Sequence, residues 1–177
     1  LQRYFGVNEI LNRASARKIY DACSGKLKSA EYSVRSLLQK MNVKVVCTTD
    51  DPIDNLEHHK KIAADGFEIK ILPAYRPDKA MNVDDPLVFN QYVSKLEAVA
   101  NISVTNYQSY LDALKSRHDF FASMNCSVSD HGLEHLYAVD YTDSELETAF
   151  NKIRSGKDLS LEERFKLKSD LLYQFGI

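Results

Sequence analysis

Glycine and cysteine are scarce in this chain, and long apolar runs are missing altogether. Only 6 of the 177 residues are glycine. None of them is grouped as a phosphate-cradling loop, and there is no serine-centred nucleophile elbow, so nucleotide-cradle and serine-hydrolase chemistry are set aside. The three cysteines, Cys23, Cys47 and Cys126, are an odd set without metal-ligand spacing. Cys47 and Cys126 fall in expected strands, where buried, reduced thiols are expected. No run approaches the ~20 apolar residues that span a bilayer. The opening LQRYFGVNEILNR lacks the basic-then-apolar pattern of a signal peptide. Lys and Arg number 23 against 25 Asp and Glu, a net charge of -2. That balance gives no bulk field toward nucleic acid or an anionic membrane, and no basic-aromatic patch is present. The expectation is a cytoplasmic chain that binds neither.

What is present is enough chain for one domain with a core. Residues 1–42 form a helical lead-in. Asn12 can cap the stretch RASARKIYDACSGKLK, and Ser33 can cap VRSLLQKM. Residues 43–80 read as a βαβ unit. Val43, Val45, Val46 and Cys47 suit a short strand buried on both faces. Asp51 then offers an N-cap, with Pro52 at the first helical position and Asp54 in the first turn. The helix runs to about Asp65 and stops at Gly66. Phe67 to Leu72 is the second strand, joined by a right-handed crossover.

Residues 81–124 read as a helical insert. One helix starts at Asp85-Pro86 and runs to about Ala100. A second, Asn106 to Met124, has Tyr107, Tyr110, Leu111, Leu114 and Phe121 on one face. Residues 125–131 are the expected third strand. Thr142 with Glu145, and Ser160 with Glu163, are capping boxes that open two C-terminal helices within 142–177. The fold class is α/β, with three short parallel strands and helix in excess. A closed (β/α)8 barrel needs ~250 residues, so the expectation is a partial TIM-barrel segment. The opening on Leu1 and the close on Phe175-Gly176-Ile177 also read as a piece of something larger. Three strands cut from a barrel leave open edges, to be hidden by self-association into a homo-oligomer or by the extra helices.

Ligands collect at the carboxyl ends of parallel strands. Those ends carry Thr48, Thr49, Asp50 and Asp51, then Tyr75, Arg76, Asp78 and Lys79, then Ser129, Asp130 and His131. Carboxylates and a histidine move protons near neutral pH, and a guanidinium between prolines is a stiff fork for a carboxylate or phosphate. Each has a plainer role open to it: Asp51 as a cap, Arg76 in an ion pair with Asp78 or a neighbouring strand's aspartate, His131 in a turn. His58 and His59 point about 100° apart on a helix and read as surface residues. His118, seven residues after Leu111, reads as a core histidine. His131-Gly132-Leu133-Glu134-His135 matches the H-x-x-E-H pattern of inverted zinc peptidases. Gly132 and the strand before it disfavour the continuous helix that such a site needs.

Met41-Asn42-Val43-Lys44-Val45-Val46, Thr48-Thr49-Asp50-Asp51-Pro52-Ile53-Asp54 and Leu56-Glu57-His58-His59 resemble the uronate (glucuronate) isomerase family of the amidohydrolase superfamily. Arg76-Pro77-Asp78-Lys79-Ala80 and Val128-Ser129-Asp130-His131 match the same family in the same order. The resemblance covers nearly the whole chain. It implies a metal-dependent (β/α)8 barrel with a divalent metal, zinc, in the full-length enzyme. The family holds its metal through a His-x-His pair on the first strand and an aspartate on the last, neither of which is in this sequence, so no metal is expected here. The implied activity converts D-glucuronate to D-fructuronate and D-galacturonate to D-tagaturonate, with a small hexuronate as the partner and the segment alone inactive. On this reading Asp130 and His131 are catalytic, Arg76 and Ser129 bind substrate, and Thr49 and Asp50 orient Arg76. The competing readings are a metal-dependent hydrolase of the same superfamily and a non-catalytic helical module.

Overall fold

The structure, a computed structural model, describes residues 1–133 and 136–176. Its elements run α1 (Gln2–Phe5), α2 (Ala16–Leu27), α3 (Val34–Lys40), β1 (Val45–Cys47), α4 (Glu57–Ala64) and β2 (Lys70–Leu72). They continue with α5 (Pro86–Ala100), α6 (Tyr107–Ser123), α7 (Asp143–Arg154) and α8 (Leu161–Gln174), and short 3-10 turns cover Ala30–Tyr32 and Asp78–Met81. Contacts divide the chain into one unit of Leu1–Val46 with Ala63–Ile71 and a second of Cys47–Ile62 with Leu72–Ile177.

In the first unit, Ser33 accepts a hydrogen bond from the Ser36 amide and starts α3 as its sequence predicts. Asn12 does not cap α2. Its Oδ1 accepts from the amides of Ala14 and Ser15 at 2.9 and 3.0 Å, which closes a turn ahead of the helix. Arg35 pairs with Asp65 at 2.5 Å and lies over the Phe67 ring. The parallel ladder begins where the Lys70 amide donates to the Lys44 carbonyl at 3.2 Å.

The second unit is built on α5 to α8. Asp85 accepts from the amides of Leu87 and Val88 at 2.8 and 3.1 Å, and Pro86 sits in the first turn, where its missing N–H costs nothing. Asn106 with Ser109, Thr142 with Glu145 and Ser160 with Glu163 all form capping boxes. These sharp starts aim the apolar faces inward. Phe89, Leu96, Tyr110, Phe150 and Leu167 are each at most 1% exposed. Rings of Phe89, Tyr107 and Tyr110 surround Phe150 at 5.4 to 6.1 Å. Such ring pairs add stability beyond the area they bury.

In this unit parallel ladder bonds run from Thr48 N–H to Leu72 (3.0 Å), Asp50 N–H to Ala74 (3.0 Å) and Arg76 N–H to Asp50 (2.9 Å). Isolated parallel bridges join Asp50 to Tyr75 and Tyr75 to Ser129. The expected third strand over 125–131 is therefore one bridge, made by Tyr75 N–H to Val128 and Asp130 N–H to Tyr75, both 3.1 Å. Asn125, left-handed at φ 65°, leads straight into this stretch, which leaves little straight chain before the polar terminus. Among the described residues the sheet has two strands, β1 and β2.

Other expectations are corrected as well. β1 is not buried on both faces: Val45 and Cys47 are exposed, so Cys47 is no core thiol and Cys126 is only half-buried. A β-branched run signals burial only where a layer covers it, and Val45 and Cys47 stay open to solvent. Asp51 does not cap a helix. Residues 51–54 form a turn in which the Asp54 amide donates to the Asp51 carbonyl at 2.8 Å. The helix starts six residues later, at Glu57, because Leu56 adopts a left-handed φ of 54° and enters a small core with Tyr75 and Phe121. Gly66 does end the stretch, at φ 68°.

Candidate functional site

The ends of the bridged segments bring most of the expected residues together. Arg76 is central. Its Nη2 lies 2.9 Å from Asp130 Oδ2, and its Nε lies 3.5 Å from Asp78 Oδ2. Asp78 is a hub: Oδ2 accepts the Gly132 amide at 2.7 Å, and Oδ1 is 3.4 Å from His131 Nδ1. Arg76 Nε, Asp78 Oδ1 and His131 Nδ1 are shielded from solvent yet lack a hydrogen bond. The Arg76–Asp78 and His131–Asp78 approaches are thus ionic reach without bonding geometry. Both leave capacity facing the cluster. The His131 ring also stacks on Phe175, centroids 6.0 Å apart. Gly132 fits here because a Cβ would stand 3.2 Å from Asp78 Oδ2.

The other expected residues take more modest places. Thr49 Oγ1 reaches Asp130 Oδ2 at 3.5 Å, a long contact to the carboxylate that holds Arg76. Asp50 serves Arg76 through its main-chain carbonyl only, since its carboxylate turns to Thr48 Oγ1 at 2.5 Å. Ser129 is exposed and joins the ladder by its backbone. Asp51 is buried and bound by Tyr92 Oη at 3.1 Å and Lys79 Nζ at 3.2 Å.

Two histidines depart from expectation. His118 is exposed on α6, with its ring edge-on to Tyr75 at 5.4 Å, and the adjacent Arg117 takes the buried position. His59 is buried, with Nε2 2.7 Å from Thr48 Oγ1, while His58 is on the surface. Of the H-x-x-E-H pattern, Glu134 and His135 lie outside the described residues.

Arg117 is the main residue that periodicity missed. It donates to the carbonyls of Pro52 (2.7 Å), Asp54 (2.9 Å) and Val99 (3.3 Å), and its guanidinium lies over Phe120. Loss of solvent around it lowers its pKa from the usual arginine range. It fixes the turn after β1 from below. Burial likewise raises the hydroxyl pKa of Tyr75, which donates to the Leu114 carbonyl at 3.1 Å beneath the Arg76 segment. The only signal for Arg117 in the sequence is a cation next to a predicted apolar stripe.

Among the described residues, no group of three or more His, Cys, Asp or Glu side chains is placed to hold a metal ion. The carboxylates of this cluster are already engaged by Arg76, Lys79, Thr48 and Gly132. A divalent metal does not fit this cluster as the described residues form it.

These features define an α/β protein of the kind that gathers charged side chains at the carboxyl ends of adjacent parallel segments, where such folds bind small ligands. Comparison with known proteins makes the class specific. A family model described as glucuronate isomerase matches residues 1–177. A uronate isomerase of Bacteroides thetaiotaomicron is 50% identical over 176 residues, 99% of this chain and 38% of that protein. One of Phocaeicola vulgatus is 48% identical over the same shares. The crystal structure of uronate isomerase from Thermotoga maritima superposes with a TM-score of 0.89 at 32% identity, covering 99% of this chain and 38% of that one. The chain belongs to the glucuronate isomerase family and spans 38% of the length of the curated relatives it matches.

Proposed function

We propose that this chain is a segment of a (β/α)8-barrel uronate isomerase, and that its charged cluster forms one arc of the substrate pocket. The proposed substrates are hexuronates, D-glucuronate and D-galacturonate, converted in the cytoplasm to the corresponding ketoses. Family membership supports this reading, and so does the cluster. The observation that carries it is the Arg76 guanidinium, half-exposed, with Nε free of a hydrogen bond and a carboxylate on either side.

An aldose–ketose isomerisation moves a proton between adjacent carbons through an enediol, so it needs groups that hold oxygens and groups that move protons. Arg76 would hold a substrate oxygen by charge-assisted bonds. His131, poised at Asp78, and Asp130 would hold hydroxyls or carry protons. Ser129, with an exposed side chain, and Thr49, one long bond from Asp130, take supporting roles.

The test replaces Arg76 with Met, and separately with Lys, in a full-length protein carrying this segment. Loss of one charged contact should lower kcat/KM for D-glucuronate roughly 10- to 100-fold. Lys should recover little, since it lacks the planar fork. Turnover within about threefold of the parent would remove Arg76 from the site.

A further inference from the structure

The polar group beneath this cluster has no role in the proposed function. His59 is 8% exposed, unlike its neighbour His58. Its Nε2 meets Thr48 Oγ1 at 2.7 Å, and Thr48 Oγ1 meets Asp50 Oδ2 at 2.5 Å. Its Nδ1 is buried with no hydrogen-bond partner. Asp50, in turn, sits between two main-chain bonds that frame Arg76: its amide donates to Ala74, and its carbonyl accepts from the Arg76 amide at 2.9 Å. The Ala74 amide also reaches Asp50 Oδ2 at 3.4 Å.

Counting protons orders this chain of contacts. A carboxylate accepts and does not donate, and a threonine hydroxyl has one proton. The shortest contact, Thr48 to Asp50, takes that proton, so Thr48 Oγ1 is left as an acceptor toward His59. Nε2 must then carry the hydrogen. The bare Nδ1 agrees with this, because a buried nitrogen without a partner is less costly as an acceptor than as an N–H donor.

We propose that His59 is a positioning residue for Arg76. As the Nε2–H form it donates to Thr48, turns the Thr48 hydroxyl onto the Asp50 carboxylate, and so holds the Asp50 main chain where it receives the Arg76 amide. The proposal deepens the isomerase reading and rests on it for the part played in turnover. The positioning itself can be measured without any activity.

Two arms test it. In this chain, proton–nitrogen correlation of the imidazole should show the hydrogen on Nε2 and a bare Nδ1. The His59→Phe variant keeps a ring but loses the donor. Its Arg76 amide should exchange with solvent about tenfold faster, the factor equal to one net hydrogen bond of about 1.4 kcal/mol. His59→Gln, which keeps an N–H near the Nε2 position, should restore protection. Thr48→Val should match His59→Phe while leaving His59 in place, so a fold defect peculiar to one variant does not decide the matter. A hydrogen on Nδ1, or Arg76 protection unchanged in both Phe and Val variants, overturns the proposal. In a full-length protein carrying this segment, His59→Phe should raise KM for hexuronate several-fold more than it lowers kcat, with Gln restoring it; a fall in kcat alone overturns the link to Arg76. If the full-length parent turns over no hexuronate, the isomerase reading fails, and the ring and exchange measurements still decide the role of His59.

Discussion

The helical core of α5 to α8 and the charged cluster at the segment ends are built by opposite means. The core is apolar, its rings interlock, and its few polar atoms are matched: Tyr107 Oη donates to Asp170 at 2.6 Å and Tyr110 Oη to the Ala80 carbonyl at 2.7 Å. The cluster buries little, holds its shape by ion pairs and single bridges, and leaves several polar atoms without hydrogen bonds. Satisfied polar atoms add rigidity, whereas unsatisfied ones are a capacity for ligand. The two regions meet in residues that face both ways. Tyr92 runs from the core to Asp51, and Arg117 runs from α6 to the turn that follows β1. The difference teaches that stability and chemistry are held in separate sets of residues, and each set can be disturbed alone.

Alkaline pH should have the largest effect, and it strikes the core. Burial raises the hydroxyl pKa of Tyr92, Tyr107 and Tyr110 above the ordinary value near 10. Tyr141 is pushed up to about 12 by burial and by its bond to Asp170. In the unfolded chain these hydroxyls ionise near pH 10, and in the folded chain they stay neutral. The unfolded state then binds fewer protons, so stability is intact below about pH 10 and falls above it. The slope is about 1.4 kcal/mol per pH unit for each tyrosine held neutral. Tyrosinate absorbance from the buried rings should therefore rise together with loss of helical circular dichroism. Ionisation of those rings well before unfolding would show that the core is open to hydroxide, and would break the contrast.

Truncating Phe150 comes next. Its side chain is 1% exposed and has three aromatic neighbours. Phe150→Ala should cost about 3–5 kcal/mol through lost transfer energy and an unfilled cavity. A urea titration would show this as a lower midpoint with an unchanged slope. A shift below about 1 kcal/mol would mean that the ring is not part of the close-packed centre.

The same division decides what the sequence made legible. Helix starts at Asp85, Asn106, Thr142 and Ser160 were readable because a cap is a local bond between residues three apart or fewer. The convergence of Arg76 with Asp130 and His131 was readable from order alone, as parallel segments place their ends together. Three features were not. Leu56 takes a left-handed φ to reach a core that its neighbours cannot announce. His118 lies seven residues from Leu111, but Leu111 is itself only half-buried, at the edge of an arc made by Tyr110, Leu114, Arg117 and Phe121, so that interval carries no burial, and Arg117, nearer the middle of the arc, turns in to three carbonyls. His58 and His59 are the same residue type side by side, and only the position of Thr48 separates them. Burial of a polar group depends on a partner distant in sequence, and periodicity carries no trace of that partner.

Gly132→Ala should sharpen the contrast from the other side, with the smallest effect on stability. The new Cβ would stand 3.2 Å from Asp78 Oδ2 and 3.6 Å from Arg76 Nη2. The carboxylate has to retreat by a few tenths of an ångström. It is held on three sides, by the Gly132 amide, Arg76 and His131, so any retreat loosens one of those contacts. Gly132 is exposed and touches none of the core rings, so the change in unfolding free energy should stay within about 0.5 kcal/mol. Amide shifts should nonetheless move at Arg76, Asp78 and His131 and stay fixed along α5 to α8. Shifts that spread into the helices would show that the cluster and the core are one mechanical unit. An unchanged spectrum would show that Asp78 is not the hub that its contacts make it.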